Sequence, residues 1–162
     1  MRNIRLFQCL LRLVAQTGGA STVEFGLLAA TLFLPLTIGL HDFGTTLYRQ
    51  MEVGAAARAG AAAASTCGCF SSVNITSAIQ AATRLGTSVS ASPSPTQFCG
   101  CPSASGGVTA TTNTAPACGS TECAAGGFDA VYVSINAQYV YTPFFSGYGP
   151  FTLTSQATVR IK

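Results

Sequence analysis

The chain is poor in charge. Asp, Glu, Lys and Arg make up 8% of its 162 residues, whereas about a quarter is usual in soluble domains. After Gly19 five basic and five acidic residues remain, so this larger part of the chain is neutral. A neutral body lacks the basic surface that nucleic-acid binding requires. With 48% hydrophobic residues, the composition also excludes a highly charged disordered protein.

The chain also lacks the residue sets that carry most enzyme chemistry. It has a single histidine, His41. Neither the G-x-S-x-G pattern of serine hydrolases nor the G-x-x-x-x-G-K-[ST] phosphate loop is present. The acidic residues are scattered over unrelated segments, and no metal-binding cluster is evident. We therefore expect a protein that is not an enzyme and needs no cofactor.

What the chain does have is a long apolar segment near its N-terminus. Residues 25–41 carry no formal charge, and with the residues just before them they approach the roughly 20 that span a bilayer as a helix. Arg2, Arg5 and Arg12 precede the segment and no basic residue follows it closely, which predicts a cytoplasmic N-terminus. A cleaved secretory signal fits less well, because such signals have only about 7 to 15 apolar residues and end in a small-x-small site.

Glu24 is the unusual residue of this segment. A carboxylate in a membrane helix costs about 2.5 to 3.5 kcal/mol at the centre and less near an end, and a plain anchor helix leaves it unexplained. A cut between Gly19 and Ala20 would make Ala20 the first residue, with a positively charged amino group, and Glu24 the fifth. In a helical stack of subunits, Glu24 of one subunit would then pair with the amine of Ala20 of a neighbour.

The stretch GGASTVEF, followed by the apolar run, resembles the processing site of type IV pilin-like proteins. Downstream, LTIGLHDFGTTLYRQMEVGAAARAGAAAAS and the C-terminal VYVSINAQYVYTPFFSGYGPFTLTSQATVRIK are similar to the TadE-like family, the minor pilins (pseudopilins) of tight-adherence pili (Tad/Flp, type IVc). The resemblance covers residues 18–64 and 128–162. It implies that Gly19 precedes the cut, that Ala20 is the new N-terminus and that Glu24 is the acidic fifth residue. Phe25 stands where related major pilins usually have tyrosine, which favours a minor subunit.

The resemblance implies a structural subunit that assembles or primes tight-adherence pili, which serve adhesion and biofilm formation. Its implied partners are a prepilin peptidase, the major pilin, other minor pilins and the inner-membrane assembly platform. The implied location is the bacterial inner membrane, crossed once, with the C-terminal domain outside the cytoplasm, or the pilus itself. The alternative is an unprocessed, membrane-anchored binding module outside the cytoplasm, with its crosslinked loops as the binding surface.

Helical periodicity continues beyond the membrane segment. Apolar residues recur at steps of three and four, and an alanine-rich stretch follows, so we expect one helix from about 21 to 64. Small residues on this helix let another backbone approach closely, either a neighbouring subunit or the protein's own sheet. These small residues are Gly54, Ala57, Gly60, Ala61 and Ala64.

The chain has seven cysteines, and Cys9 lies in the expected leader. Outside the membrane an even number remains, which predicts three disulfides without fixing their connectivity. A catalytic redox pair is disfavoured because no thioredoxin-like βαβ pattern surrounds the cysteines, and zinc is disfavoured because C-x-C is not the usual ligand spacing. The six disulfide candidates are Cys67, Cys69, Cys99, Cys101, Cys118 and Cys123.

The rest of the chain predicts a small α+β domain. An amphipathic pattern over 71–86 indicates a short helix, and alternation over 131–141 and 151–161 indicates an antiparallel hairpin packed on the long helix. A third strand is expected at 87–91, whereas the stretch 90–127 has the composition of crosslinked loops. The turn aromatics Phe144, Phe145 and Tyr148 either cap the core or face a partner or membrane. The expected divisions are a leader (1–19), a transmembrane and extended pilin-like helix (20–64) and an extracytoplasmic domain (65–162).

Overall fold

The computed structural model describes residues 20–144 and 149–161, which form a long N-terminal helix and an antiparallel sheet domain. The chain divides into two compact units, residues 1–44 and 45–162. The helices are α1 (Ala20–Leu28), a π-helical segment (Ala29–Phe33), α2 (Leu34–Cys67), α3 (Ser72–Ala81) and a 3-10 turn (Gly86–Ser88). The strands are β1 (Val89–Ala91), β2 (Thr96–Pro102), β3 (Val108–Ala110), β4 (Ala130–Tyr141) and β5 (Phe151–Arg160). The predicted α+β class is confirmed.

The N-terminal helix contains a π-helical turn, which has one more residue than an α-helical turn, just before Pro35. The N–H of Leu34 donates to the carbonyl of Ala29, five residues back, at the end of the π-helical segment. Pro35 has no N–H, and its ring crowds the carbonyl four residues before it. A wide turn placed directly ahead of a proline relieves this crowding without ending the helix, and α2 continues to Cys67.

The small-residue face of α2 packs on the protein's own sheet and on α3. The buried residues of α2 are Val53, Ala56, Ala57, Gly60 and Ala64. They share one core with Ile75 and Ile79 of α3 and with Val133 and Ile135 of β4. Of the two expected partners for this face, the sheet of the same chain is therefore the one observed.

Strand β4 is the centre of the sheet because it is paired along both edges. Over its length it pairs antiparallel with β5, from Tyr132 opposite Arg160 to Tyr141 opposite Phe151. Its other edge is shared by β1 and β2, which pair with its C-terminal and N-terminal parts respectively. Strand β3 then pairs with β2. The predicted hairpin and third strand are confirmed, while β2 and β3 form in the stretch that we expected to be loop.

The turn between β4 and β5 is described only in part. Phe144 is 79% exposed, whereas Phe145 and Tyr148 lie outside the described residues. Whether these aromatic side chains cap the core or face a partner stays an open prediction.

Two glycines of α2 provide a matched test of the helix–sheet packing. A Cβ at Gly60 would lie 2.9 Å from Cγ1 of Ile79 and 3.2 Å from Cγ2 of Ile135, and both isoleucines are fully buried. A Cβ at Gly54 would make only an ordinary 3.9 Å contact with Oγ of Ser155. Alanine gains about 1 kcal/mol of helix propensity over glycine, while overpacking a core costs about 1 to 3 kcal/mol.

We therefore expect opposite signs for the two substitutions. Gly60→Ala lowers the free energy of unfolding by up to about 2 kcal/mol, and Gly54→Ala raises it by about 0.5 to 1 kcal/mol. Denaturant unfolding of both variants alongside the wild type measures the difference. Equal stabilisation by both would mean that α2 does not approach α3 and β4 as closely as the structure shows.

Candidate functional site

The predicted processing and assembly residues lie at the start of the N-terminal helix. Helix α1 begins at Ala20, and Gly19 lies outside the described residues. Glu24 is an exposed residue of α1, just over one helical turn after Ala20. Within the described part of the chain, no side chain forms an ion pair or hydrogen bond with the Glu24 carboxylate. The structure therefore puts Ala20 and Glu24 on one helix and leaves the carboxylate available to another molecule.

The helix that carries Glu24 exposes an apolar surface. A single helix in the described residues, Ser21–Cys67, is long and apolar enough to cross a membrane, and its most apolar window is not buried at all. Further along, Leu40, Phe43, Leu47 and Met51 are also exposed, and they recur at the predicted helical steps. An exposed apolar surface of this extent indicates lipid or protein contact. Membrane anchoring fits this helix.

The six cysteines after the long apolar segment lie in three pairs at disulfide distance. Cys67 and Cys69 flank Gly68 at the end of α2, with their Cα atoms 5.0 Å apart. Cys99 pairs with Cys118 and Cys101 pairs with Cys123, each with a Cα separation of 5.5 Å. The last two pairs connect β2 to the segment 112–128. They therefore hold a long loop against a strand.

A buried carboxylate organises the same loop. Asp129 is 4% exposed and stands directly before β4. Its Oδ1 accepts hydrogen bonds from the backbone N–H groups of Gly119 (2.8 Å) and Thr121 (2.9 Å). Its Oδ2 accepts from Nδ2 of Asn113 (2.8 Å) and Oγ1 of Thr111 (3.0 Å). One side chain thus binds the loop at four points.

The hydrogen bonds fix the charge state of Asp129. Burial alone would raise the pKa of this carboxyl, but the N–H groups of Thr121 and Gly119 and the side chains of Asn113 and Thr111 hold its pKa well below the usual range. All four groups donate to the ionised form and so favour it. In the sequence Asp129 is only one of several scattered acidic residues. Its position between a loop and the start of a buried strand is the one sequence signal that could have singled it out.

Replacing Asp129 with asparagine tests this arrangement. Because the folded pKa lies below the unfolded value of about 3.9, the carboxylate stabilises the fold above that pH and loses its contribution as the pH falls further. Asp129→Asn places an amide N–H₂ where a carboxylate accepted backbone N–H groups. We expect a lower melting temperature at pH 7 and a weaker loss of stability between pH 5 and pH 2, as measured by thermal unfolding across pH.

Glu122 supplies the matched control, because it is an exposed carboxylate of the same loop. Glu122→Gln removes one negative charge without removing a buried hydrogen-bond acceptor, and we expect a change within about 0.5 kcal/mol. If Asp129→Asn behaved like Glu122→Gln at every pH, Asp129 would not hold the loop.

The loop and β3 border an open groove of about 500 Å³. Its lining is uncharged except for Glu122, and it includes the Cys101–Cys123 pair and the hydroxyls of Thr109 and Thr121. Nearby, Cys99, Cys118 and Asp129 bring three ligand-type atoms within 4.8 Å of one another. The oxygens of Asp129 face N–H and hydroxyl donors, and the two sulfurs are paired. This arrangement fits a crosslinked support for the loop better than a metal centre.

Comparison with known proteins gives one match. Residues 19–62 match the family model described as TadE-like protein. The resemblance seen at 128–162 lies outside this range and stays a prediction. No curated protein and no solved structure matches the chain. The resemblance recognised in the sequence is thus confirmed for its N-terminal part: residues 19–62 are similar to the TadE-like family, which is consistent with a TadE-like protein of tight-adherence (Tad) pili.

Proposed function

We propose that this protein is a minor pilin-like subunit that primes or joins the assembly of tight-adherence pili, and that it is not an enzyme. The observation that carries the proposal is the TadE-like match that begins at Gly19 together with an exposed apolar helix bearing Glu24 near its start. A prepilin peptidase removes residues 1–19. The remaining chain starts at Ala20 and comprises the helix (20–64) and the extracytoplasmic domain (65–162).

The distribution of exposed and buried residues along the helix supports this division. Large apolar side chains from Val23 to Met51 are mostly exposed, whereas α2 from Val53 to Ala64 is packed into the sheet domain. The first part therefore has an apolar surface with no partner in the described chain. In the membrane that surface faces lipid, and in a filament it faces the helices of other pilin subunits.

The charge distribution supports the orientation. Arg2, Arg5 and Arg12 precede the apolar segment and retain the leader on the cytoplasmic side, where they follow the positive-inside rule. The sheet domain then lies outside, in an oxidising compartment where the cysteine pairs form disulfides. The major pilin, other minor pilins and the inner-membrane platform are its proposed partners.

Glu24 has a specific part in this assembly. Its carboxylate pairs with the Ala20 amine of an adjacent subunit as the helices stack. In an apolar environment each charge is costly alone, and pairing lowers the cost of both. Because the pair forms at one relative height of the two helices, it also sets their axial register.

Processing at Gly19 is the first test of the proposal. The full-length protein is co-expressed with a prepilin peptidase in a host that lacks one, and the intact mass and N-terminal sequence of the membrane fraction are measured. We expect a peptidase-dependent start at Ala20. We expect Gly19→Val to block the cut, because it changes the residue directly before the proposed scissile bond, and we expect Gly18→Val, the matched control, still to be cut.

A full-length protein that stays in the membrane whether or not the peptidase is present would contradict the proposal. The unprocessed binding module would then remain, and Gly19→Val would change nothing.

A further inference from the structure

The Cys67–Cys69 pair differs from the other two cysteine pairs in exposure and in what it connects. Helix α2 ends at Cys67, and Gly68 follows with a positive φ of 61°, so that the chain turns and brings Cys69 back beside Cys67. Both cysteines and the residues around them are exposed. By contrast, Cys99 is fully buried and Cys123 is 6% exposed. Only the Cys67–Cys69 pair has both of its members in contact with solvent.

This pair also joins residues that the fold already holds together. Cys67 and Cys69 are two positions apart, whereas the other pairs join residues 19 and 22 positions apart. A crosslink restricts the unfolded chain less when the loop it closes is shorter. The flanking structure has its own support, because Ala64 belongs to the core and Oγ of Ser71 accepts a hydrogen bond from the N–H of Asn74 at the start of α3.

We propose that Cys67 and Cys69 form a thiol–disulfide exchange site whose substrate is a protein dithiol or another exposed thiol. An incoming thiolate attacks one sulfur, forms a mixed disulfide with it and releases the other as a thiolate. When the reagent is a dithiol, its second thiol resolves the mixed disulfide. Two electrons pass to the pair, two protons convert its sulfurs to thiols, and the dithiol becomes a disulfide. The exchange needs no thioredoxin-like fold, because exposure and a short ring make the bond accessible.

The position of the pair at the end of α2 determines which of its two sulfurs is attacked. Cys67 lies in the last turn of a long helix, where the negative end of the helix dipole disfavours a thiolate. Cys69 lies beyond the helix end, where this effect is weaker. The sulfur with the lower pKa leaves faster, so the incoming thiolate attacks Sγ of Cys67 and releases Cys69.

Metal binding does not compete for this site in the part of the chain that the structure describes. The one group of three ligating side chains found there is Cys99, Cys118 and Asp129. Among the described residues, Cys67 and Cys69 thus have no third ligand of this kind beside them.

Graded reduction of the full-length protein in detergent tests the proposal. The oxidised protein is equilibrated with increasing ratios of reduced to oxidised dithiothreitol and quenched in acid. Free thiols are then alkylated and assigned by peptide mass spectrometry. We expect Cys67 and Cys69 to be half alkylated at a ratio at least tenfold lower than that required by the four cysteines of the other two pairs. The circular dichroism spectrum of this partly reduced protein stays native.

Reduction of all three pairs together, or of Cys67–Cys69 last, would overturn the proposal. Single variants test the direction: the Cys69 thiol in Cys67→Ser is expected to react with iodoacetamide faster than the Cys67 thiol in Cys69→Ser at pH 7.5. The reverse order of rates would overturn the assignment of Cys67 as the attacked sulfur. The double variant Cys67→Ser/Cys69→Ser shows the background labelling of the remaining cysteines.

Discussion

Removing the Cys99–Cys118 pair by the double substitution Cys99→Ala/Cys118→Ala is expected to lower the free energy of unfolding by about 3 kcal/mol. The pair closes a loop of residues 19 positions apart, and a loop of this size restricts the unfolded chain strongly. Alanine is preferable to serine because Cys99 is fully buried and a hydroxyl there would lack a partner. Denaturant unfolding under oxidising conditions measures the loss.

The loop itself explains why so much depends on the crosslink. The segment 112–128 has few buried apolar residues, and Cys123 is the single residue in it that counts as buried. Its other attachments to the sheet are the Cys101–Cys123 pair and the Asp129 hydrogen bonds, while the β-bridge between Glu122 and Phe128 lies within the segment itself. We therefore expect faster amide hydrogen exchange at Gly119 and Thr121 in the double variant, with little change in β4 and β5.

The control is the corresponding double variant at the end of α2. Cys67→Ala/Cys69→Ala removes a crosslink that closes only a short ring, and the same entropy relation gives about half the effect. Equal losses for both double variants, or a loss spread evenly over the sheet, would contradict a role of Cys99–Cys118 in holding the loop.

The elements that could be predicted from the sequence are those whose own residues show the periodicity of a helix or a strand. The alternation in VYVSINAQYVY has a period of two over 11 residues, and such a pattern fits one face of a sheet. In the structure Val133, Ile135 and Ala137 are fully buried on that face. The long helix could be predicted equally well, because its apolar and alanine-rich stretches both favour a helix whatever surrounds them.

Strand β2 was not predicted because it forms through pairing with β4 and not through a pattern in its own residues. Its sequence, TQFCGCP, contains glycine and proline, both depleted in strands, and lies in a stretch rich in turn residues. What makes it a strand is the free edge of β4, against which Cys99 lies opposite Val131. Gly100 is needed there: a Cβ would lie 2.5 Å from Cγ1 of Val108 and 3.1 Å from the Phe98 ring. Period and propensity contain no information about such pairing between distant segments.

The candidate sites divide in the same way. Glu24 was found because a charge within an apolar run is visible in the sequence, whereas Asp129 became apparent only when the loop was folded around it. The cysteines were counted correctly, but their pairing depends on β2, so the sequence left it open.

Loss of the Glu24 carboxylate is expected to have the largest effect on assembly. Glu24→Gln keeps the size of the side chain, removes its charge and replaces one acceptor oxygen by an N–H₂ group. The Ala20 amine of the adjacent subunit then enters the apolar stack without a counter-charge, which is costly in a low-dielectric environment. We expect incorporation into pili to fall at least tenfold, measured as the fraction of the protein that co-purifies with sheared filaments.

Cleavage and assembly are measured on the same samples, which separates the pairing role from other effects. The intact mass of Glu24→Gln is expected to show removal of residues 1–19 as in the wild type, because in the proposed assembly cleavage precedes the stacking of subunits. Thr22→Ala, an exposed and uncharged position in the first turns of α1, is expected to be both cleaved and incorporated.

If Glu24→Gln entered pili normally, the charge pair would be unnecessary. If it remained uncleaved, Glu24 would serve recognition by the peptidase. Cleaved Glu24→Gln protein left behind in the membrane supports pairing between Glu24 and the neighbouring Ala20 amine, because only a step after cleavage has then failed.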